Sequence, residues 1–238
     1  GKDITKLKTN KLQLFRKDMQ LIFQDPYSSL DPRKTVSQII SEPIIANKIL
    51  KSSADIHLRV AELMSTVGLT ARLFNTYPHE LDGGRRQRIG IARALAMQPK
   101  FIVCDEPVSA LDVSIQAQIL NLLKDLQAEF NLSYIFITHD LSVVNHFSDD
   151  IAVMYLGKIV EKAPAEQLFG NPLHPYSQAL LAAIPIPEVG LKKERVLIKG
   201  EITSPINPPE DCRFKNRCPY AFAKCVIHHD LVDITPGH

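Results

Sequence analysis

The sequence has no tryptophan, only four cysteines, and no apolar run near the roughly 20 residues that a membrane-spanning helix requires. It leans to neither charge: 28 Lys and Arg stand against 26 Asp and Glu, a net +2, with the cations spread along the chain. Charge so balanced and dispersed leaves no footprint for nucleic acid, and no such partner is expected. No secretory leader opens the chain, so a cytoplasmic location is expected, with any membrane link made through a partner. A phosphate loop is absent too. None of the ten glycines stands in a G-x-x-x-x-G-K-[ST] pattern; Gly157-Lys158-Ile159 and Gly1-Lys2-Asp3 are the nearest failures. Gly1 occupies the place of an initiator Met, so an unnatural start is expected.

What is present suffices for one large domain with a sizeable core, plus an appendage. "KDMQLIFQ" at 17–24 predicts a short strand ending at Gln24, because "DPYSSLDPR" beyond it is dense in turn formers. Val36, Ile39, Ile40 and Ile44, then His57, Val60, Ala61, Met64 and Val67, recur at helical spacing, so Pro26 to Pro78 reads as a mostly helical insertion. Asp82 is placed to cap a helix through Ile89, Ala92 and Ala96 that stops before Pro99. "FIVC" at 101–104 is a continuous apolar run, the pattern of a strand buried on both faces of a parallel sheet. Ile115, Ile119, Leu122, Leu123, Leu126 and Phe130 form one face of a long helix; further strands are expected at Tyr134–Thr138 and Ile151–Tyr155. This alternation argues for an α/β sheet. Beyond Pro185 a proline-rich tail carries three of the cysteines.

Open parallel sheets bind ligands at their strand ends, and the polar residues gather there. Asp105 and Glu106 follow "FIVC", and His139 follows the next strand in "IFITHD". An acid in that place can hold Mg²⁺ through water, and a second carboxylate beside it can polarise an attacking water. The order places Gln24, Asp105, Glu106 and His139 along one edge of the sheet. Taken singly, a strand-end acid also caps helices and a lone histidine is also structural. "LDGGRRQR" at 81–88 adds a Gly-Gly pair at a helix start, which lets backbone N–H groups approach an anion, followed by arginines suited to phosphate.

Together these segments resemble the ATP-binding subunits of ABC transporters. "FQDP" at 23–26 is similar to the glutamine loop, "LDGGRRQR" to the signature motif, "FIVCDEP" to the Walker B strand, "SALD" at 109–112 to the D-loop and "ITHD" to the switch-histidine segment. "FQDPYSSLDPR" and "NPLHPYSQALLAAIP" resemble the oligopeptide and dipeptide importers within that family. The fold so implied is an α/β ABC ATPase domain of the P-loop NTPase class, with a parallel sheet core, a helical signature subdomain and a cysteine-containing C-terminal tail. Residues 1–25 would be a remnant of the N-terminal sheet with the glutamine loop, 26–97 the helical subdomain, 98–184 the α/β core and 185–238 the importer-type tail.

The resemblance also implies roles. Gln24 and Asp105 would attend Mg²⁺, Gln24 also coupling the site to the transmembrane partner; Glu106 would be the general base for water and His139 would contact the γ-phosphate of ATP. Asp82, Gly83, Gly84 and Arg85 would close over ATP held by a second ATPase subunit in a head-to-tail pair, and Asp112 would bridge to that subunit. Two transmembrane permease subunits and, indirectly, an extracytoplasmic substrate-binding protein complete the implied assembly on the cytoplasmic face of the inner membrane. The transported solute, a peptide, nickel or a sugar, is left open.

Two departures from the family pattern matter. Its signature usually has Ser and Gln where this chain has Asp82 and Arg85. A carboxylate about 4 Å from a γ-phosphate would cost on the order of 1 kcal/mol in water and roughly 4 at an effective dielectric near 20. Arg85 or Arg86 would offset part of that; alternatively Asp82 serves only as a cap. The second departure is the missing phosphate loop, which in the family lies ahead of the segment that "GKDITKL" resembles. A chain lacking that segment and its core strand is expected to bind ATP poorly alone and not to hydrolyse it. In the tail, Cys212, Cys218 and Cys225 favour metal over disulfide in a cytoplasmic chain, or are simply free thiols. Some importer subunits hold a four-iron four-sulfur cluster on such a tail, and His228 or His229 would have to replace a fourth cysteine. Three readings thus stand: a transport ATPase subunit, a non-hydrolytic partner of an intact mate, and a metal-binding module on an ATPase relic.

Overall fold

A computed structural model describes residues 3–184, 198, 200, 204, 206–208, 210–226 and 230–238. The chain forms two compact units, residues 1–139 and 140–238. The α/β stretch expected over 98–184 is therefore shared between them.

In the first unit, α1 (Thr9–Asp18) leads into β1 (Met19–Ile22), which pairs in parallel with β2 (Phe101–Asp105), and β2 with β3 (Ser133–Ile137). The register sets Leu21 beside Val103 and Val103 beside Ile135, so all three strands end at one edge. Ile22, Ile102 and Cys104 are buried on one face. The other face is half open, with Met19, Leu21, Ile135 and Ile137 exposed. The expectation that "FIVC" is buried on both faces is thus corrected: β2 alternates, because no described element covers its second face fully.

Between β1 and β2 the chain builds the helical insertion. Thr35 opens α2 (Val36–Ala46) with a capping box: its hydroxyl accepts from the Gln38 amide at 3.4 Å, and the Gln38 side chain accepts from the Thr35 amide at 2.9 Å. Ser52 caps α3 (Ser53–Thr66), and α4 (Gly83–Leu95) follows. These three helices pack on one another through Ile39, Ile40 and Ile44, Val60, Leu63 and Met64, and Ile89 and Ala92. His57 and Ala61, expected on the buried face of α3, are exposed; Leu63 takes their place in the core. Helix α5 (Val113–Phe130) buries Ile119, Leu123 and Leu126, while Phe130 at its end is exposed.

The second unit begins with α6 (Leu141–Phe147). The strand expected at Ile151–Tyr155 exists as β4 (Asp150–Tyr155), but it is not part of the parallel sheet. It turns back through Leu156 and Gly157, both at positive φ (46° and 75°), into β5 (Lys158–Pro164) as an antiparallel hairpin. A two-residue turn of that hand matches the twist of an antiparallel pair and allows no crossover helix. Its core is Val144, Ile151, Val153, Ala163 and Leu168, with α7 (Ala165–Gly170) and α8 (Pro175–Ala182) completing the unit. The tail is anchored here by Phe214, fully buried, whose ring meets Tyr155 edge-on at 5.1 Å.

Candidate functional site

The parallel strands deliver their polar residues to one place. Gln24, two residues past β1, donates its side-chain amide to Glu106 Oε2 at 2.9 Å; His139, two residues past β3, donates from Nδ1 to Glu106 Oε1 at 3.1 Å. Both carboxylate oxygens are thus occupied, by residues 82 and 33 positions away in sequence. Hydrogen bonding from His139, supported by the Gln24 side chain, holds the Glu106 carboxyl below the usual carboxylate range. Its backbone lies at φ 43°, rare for a residue with a Cβ. The chain holds it there: the Glu106 amide donates to Ile137 O at 2.9 Å, and the Ser109 amide and hydroxyl donate to Glu106 O at 3.2 and 3.1 Å. Asp105 closes β2 one residue before, opposite Ile137 of β3. The four residues expected along one edge do lie at one edge.

The signature segment is built separately. Asp82 caps α4, its Oδ1 accepting from the Arg85 amide at 2.8 Å while Oδ2 pairs with the Arg85 guanidinium at 3.4 Å. Gly84 packs closely on the start of α5, where a Cβ would lie 2.7 Å from Ile115 Cγ2; a Cβ on Gly83 would lie 3.0 Å from the end of the Leu111 side chain. Asp112, at the N-cap of α5, is exposed.

The arginines that follow differ from the expectation of phosphate ligands. Arg86 donates to Pro78 O at 2.8 Å, Arg88 to Val67 O at 2.6 Å and Arg93 to Ser29 O at 2.7 Å, so three are committed to backbone carbonyls within the unit. Arg85 remains the cation at the exposed end of the helix. Sequence reading missed these clamps; the i, i+7 spacing of Arg86 and Arg93 on one helix was the available signal.

The described residues of the tail do not gather a metal site. Cys212, Cys218 and Cys225 are free thiols, and the Cys212 amide donates to Cys225 O at 3.2 Å. Among the described residues no group of three or more His, Cys, Asp or Glu side chains could hold a metal ion. Among the described residues the three thiols do not form a ligand set, so the expected iron–sulfur cluster is not supported by them. His228 and His229 lie outside the described residues. No described helix is long and apolar enough to cross a membrane.

Residues 1–109 match the ABC transporter family and residues 160–225 the oligopeptide/dipeptide transporter C-terminal region. The chain is 52% identical over 227 residues to the oligopeptide transport ATP-binding protein OppF of Salmonella typhimurium, covering 94% of this chain and 68% of that protein. It is 52% identical over 228 residues to AppF, an oligopeptide transport ATP-binding protein of Bacillus subtilis (94% and 69% covered), and 48% over 225 to the dipeptide transport protein DppF of Escherichia coli (94% and 67%). Among solved structures, the ADP- and Pi-bound dimer of the ATP-binding cassette MJ0796 is similar at 30% identity and TM-score 0.60, over 67% of this chain and 68% of that one. CbiO1 from Clostridium perfringens is similar at 27% identity and TM-score 0.62, over 69% and 64%.

Proposed function

Because the chain belongs to the ATP-binding subunits of oligopeptide and dipeptide ABC transporters, we propose that it couples ATP hydrolysis to peptide import through the cluster centred on Glu106. The observation that carries the proposal is the convergence of Gln24 and His139 on one half-buried carboxylate at the strand ends. Glu106 orients and deprotonates the attacking water. At rest its two oxygens are occupied and its basicity is lowered, so water gains access when Gln24 and His139 turn toward the nucleotide. His139 then donates to the γ-phosphate. Gln24 and Asp105 offer the oxygen donors that suit Mg²⁺, an ion that takes one or two protein ligands and completes its shell with phosphate and water. Bound Mg²⁺ supplies neutralisation of the charge on the β- and γ-phosphate oxygens.

The Asp82–Arg85 end of α4 closes over ATP on a second ATPase subunit in a head-to-tail pair, where exposed Asp112 reaches the same partner. No G-x-x-x-x-G-K-[ST] pattern stands among these residues, and the chain spans 68% of the length of OppF. Two permeases receive the subunit on the cytoplasmic face of the inner membrane, with an extracytoplasmic binding protein delivering peptide. Reconstitution in proteoliposomes tests this: labelled peptide should accumulate only with ATP, and ATP-independent or absent uptake by the complete assembly would overturn it.

A further inference from the structure

The segment that carries Gln24 is gripped from the signature helix. Residues 23–31 have some internal order: the Tyr27 amide donates to Asp25 Oδ1 at 2.8 Å, the Ser29 amide to Asp25 O at 3.2 Å, and Leu30 is buried. The rest of the restraint comes from α4. Arg93 bonds Ser29 O at 2.7 Å and its Cζ lies 6.0 Å from the Phe23 ring centroid, so it bonds one side of the Gln24 segment and faces the other. Arg86 sits 4.7 Å over the Tyr27 ring while its Nε holds Pro78 O. Arg93 is half-buried, and burial draws its guanidinium below its ordinary pKa, with nearby Glu42 opposing. A guanidinium bonded to a carbonyl and stacked on an aromatic ring is an oriented, stiff joint rather than a diffuse charge. At the other end of this helix, Gly83 and Gly84 bear on Leu111 and Ile115.

We propose that Arg93 and Arg86 are positioning residues that make the Gln24 segment and α4 move as one body, so that a displacement of residues 23–31 is delivered to the Gly83–Arg85 end of the same helix. This rests on the reading above, in which Gln24 attends this chain's nucleotide and Gly83–Arg85 attend the partner's. A permease pressing on the Gln24 segment thereby adjusts the phosphate contacts of both sites at once, through two arginines that touch neither nucleotide.

The test is ATP turnover by the assembled transporter, with and without peptide-loaded binding protein, for Arg93→Met, Arg93→Lys and Arg86→Lys. Arg93→Met keeps the bulk of the stem and removes the donor. Its stimulated turnover should fall about fivefold to tenfold, in the range of ordinary coupling free energies, while unstimulated turnover stays within about twofold. Arg93→Lys, which retains a cationic donor, should recover part of the stimulation, and Arg86→Lys should lose a smaller share. Equal loss of both rates, or retention of full stimulation in all three variants, overturns the inference while leaving the transport function standing. A wild-type assembly with no peptide-stimulated turnover overturns the transport reading itself and this inference with it.

Discussion

The two units each contain a glutamate paired with a histidine, and the pairs sit in opposite surroundings. Glu106 and His139 meet at 3.1 Å with 24% and 74% of their side chains exposed; Glu161 and His238 meet at 2.7 Å with 4% each. The buried carboxylate also accepts from the Leu173 and His174 amides at 2.7 and 3.0 Å, which ties β5 to the start of α8. Burial alone would raise its pKa, but hydrogen bonds from the Leu173 amide, His238 and the His174 amide hold it below the usual carboxylate range. A pair sealed in this way has no competitor for its bonds and serves as scaffold. The exposed pair can exchange each partner for water or phosphate, which is what the catalysis proposed for Glu106 requires.

Substitution of the two histidines should break the comparison most sharply. His139→Ala should lower turnover of the assembled transporter about 100-fold, the loss of one donor to developing phosphate charge, without altering the melting temperature. His238→Ala should leave turnover per folded molecule unchanged and cost the second unit about 3 kcal/mol, because a buried charge loses its partner. Urea unfolding and turnover measured on both variants separate the two outcomes. Glu161→Gln removes the charge along with the need to balance it and should cost less, about 1 kcal/mol.

Acid should affect the two pairs in the same direction for different reasons. Both carboxyls titrate lower in the folded chain than when unfolded, so their favourable contacts are complete above the unfolded pKa and are lost as pH falls through the folded one. The buried pair should register this as unfolding of the second unit below the ordinary carboxylate range, followed by circular dichroism. The exposed pair should register it as local exchange at His139, visible by NMR, with no global transition.

Asp82 supplies a smaller contrast within the first unit. If its carboxylate repels the partner's γ-phosphate, Asp82→Ser should raise turnover about fivefold, corresponding to roughly 1 kcal/mol of relieved repulsion. Unchanged turnover would identify Asp82 as a cap whose charge Arg85 already balances. Smallest in functional consequence is the thiol pattern. Cys104, fully buried in β2 with its pKa pushed up to about 12, should resist a thiol reagent that labels Cys212, Cys218 and Cys225 in the native chain.

The cluster around Glu106 was legible in sequence because strand-end chemistry follows directly from strand order. Once "MQLI", "FIVC" and "SYIFI" are parallel neighbours, Gln24, Glu106 and His139 have one edge to share. The cap at Asp82 was legible for the same local reason. The third strand was misassigned because "DIAVMY" carries the hydrophobicity of a sheet strand, while the Leu156-Gly157 turn that reverses it has no strong turn dipeptide. The buried Glu161–His238 pair was invisible: its partners lie 77 positions apart, and nothing in composition separates a satisfied core histidine from an active one. Arg86 and Arg88 were read as suited to phosphate because charge is visible in a sequence and a carbonyl acceptor elsewhere in the fold is not.

The central claim is that the exposed pair, and not the buried one, works on ATP. Its most direct test is ATP turnover by the peptide-loaded assembled transporter with Glu106→Gln beside Glu161→Gln. Glu106→Gln should reduce turnover about 1000-fold through loss of the general base, while Glu161→Gln stays near wild type once corrected for folded protein. Turnover indifferent to Glu106 would contradict the account.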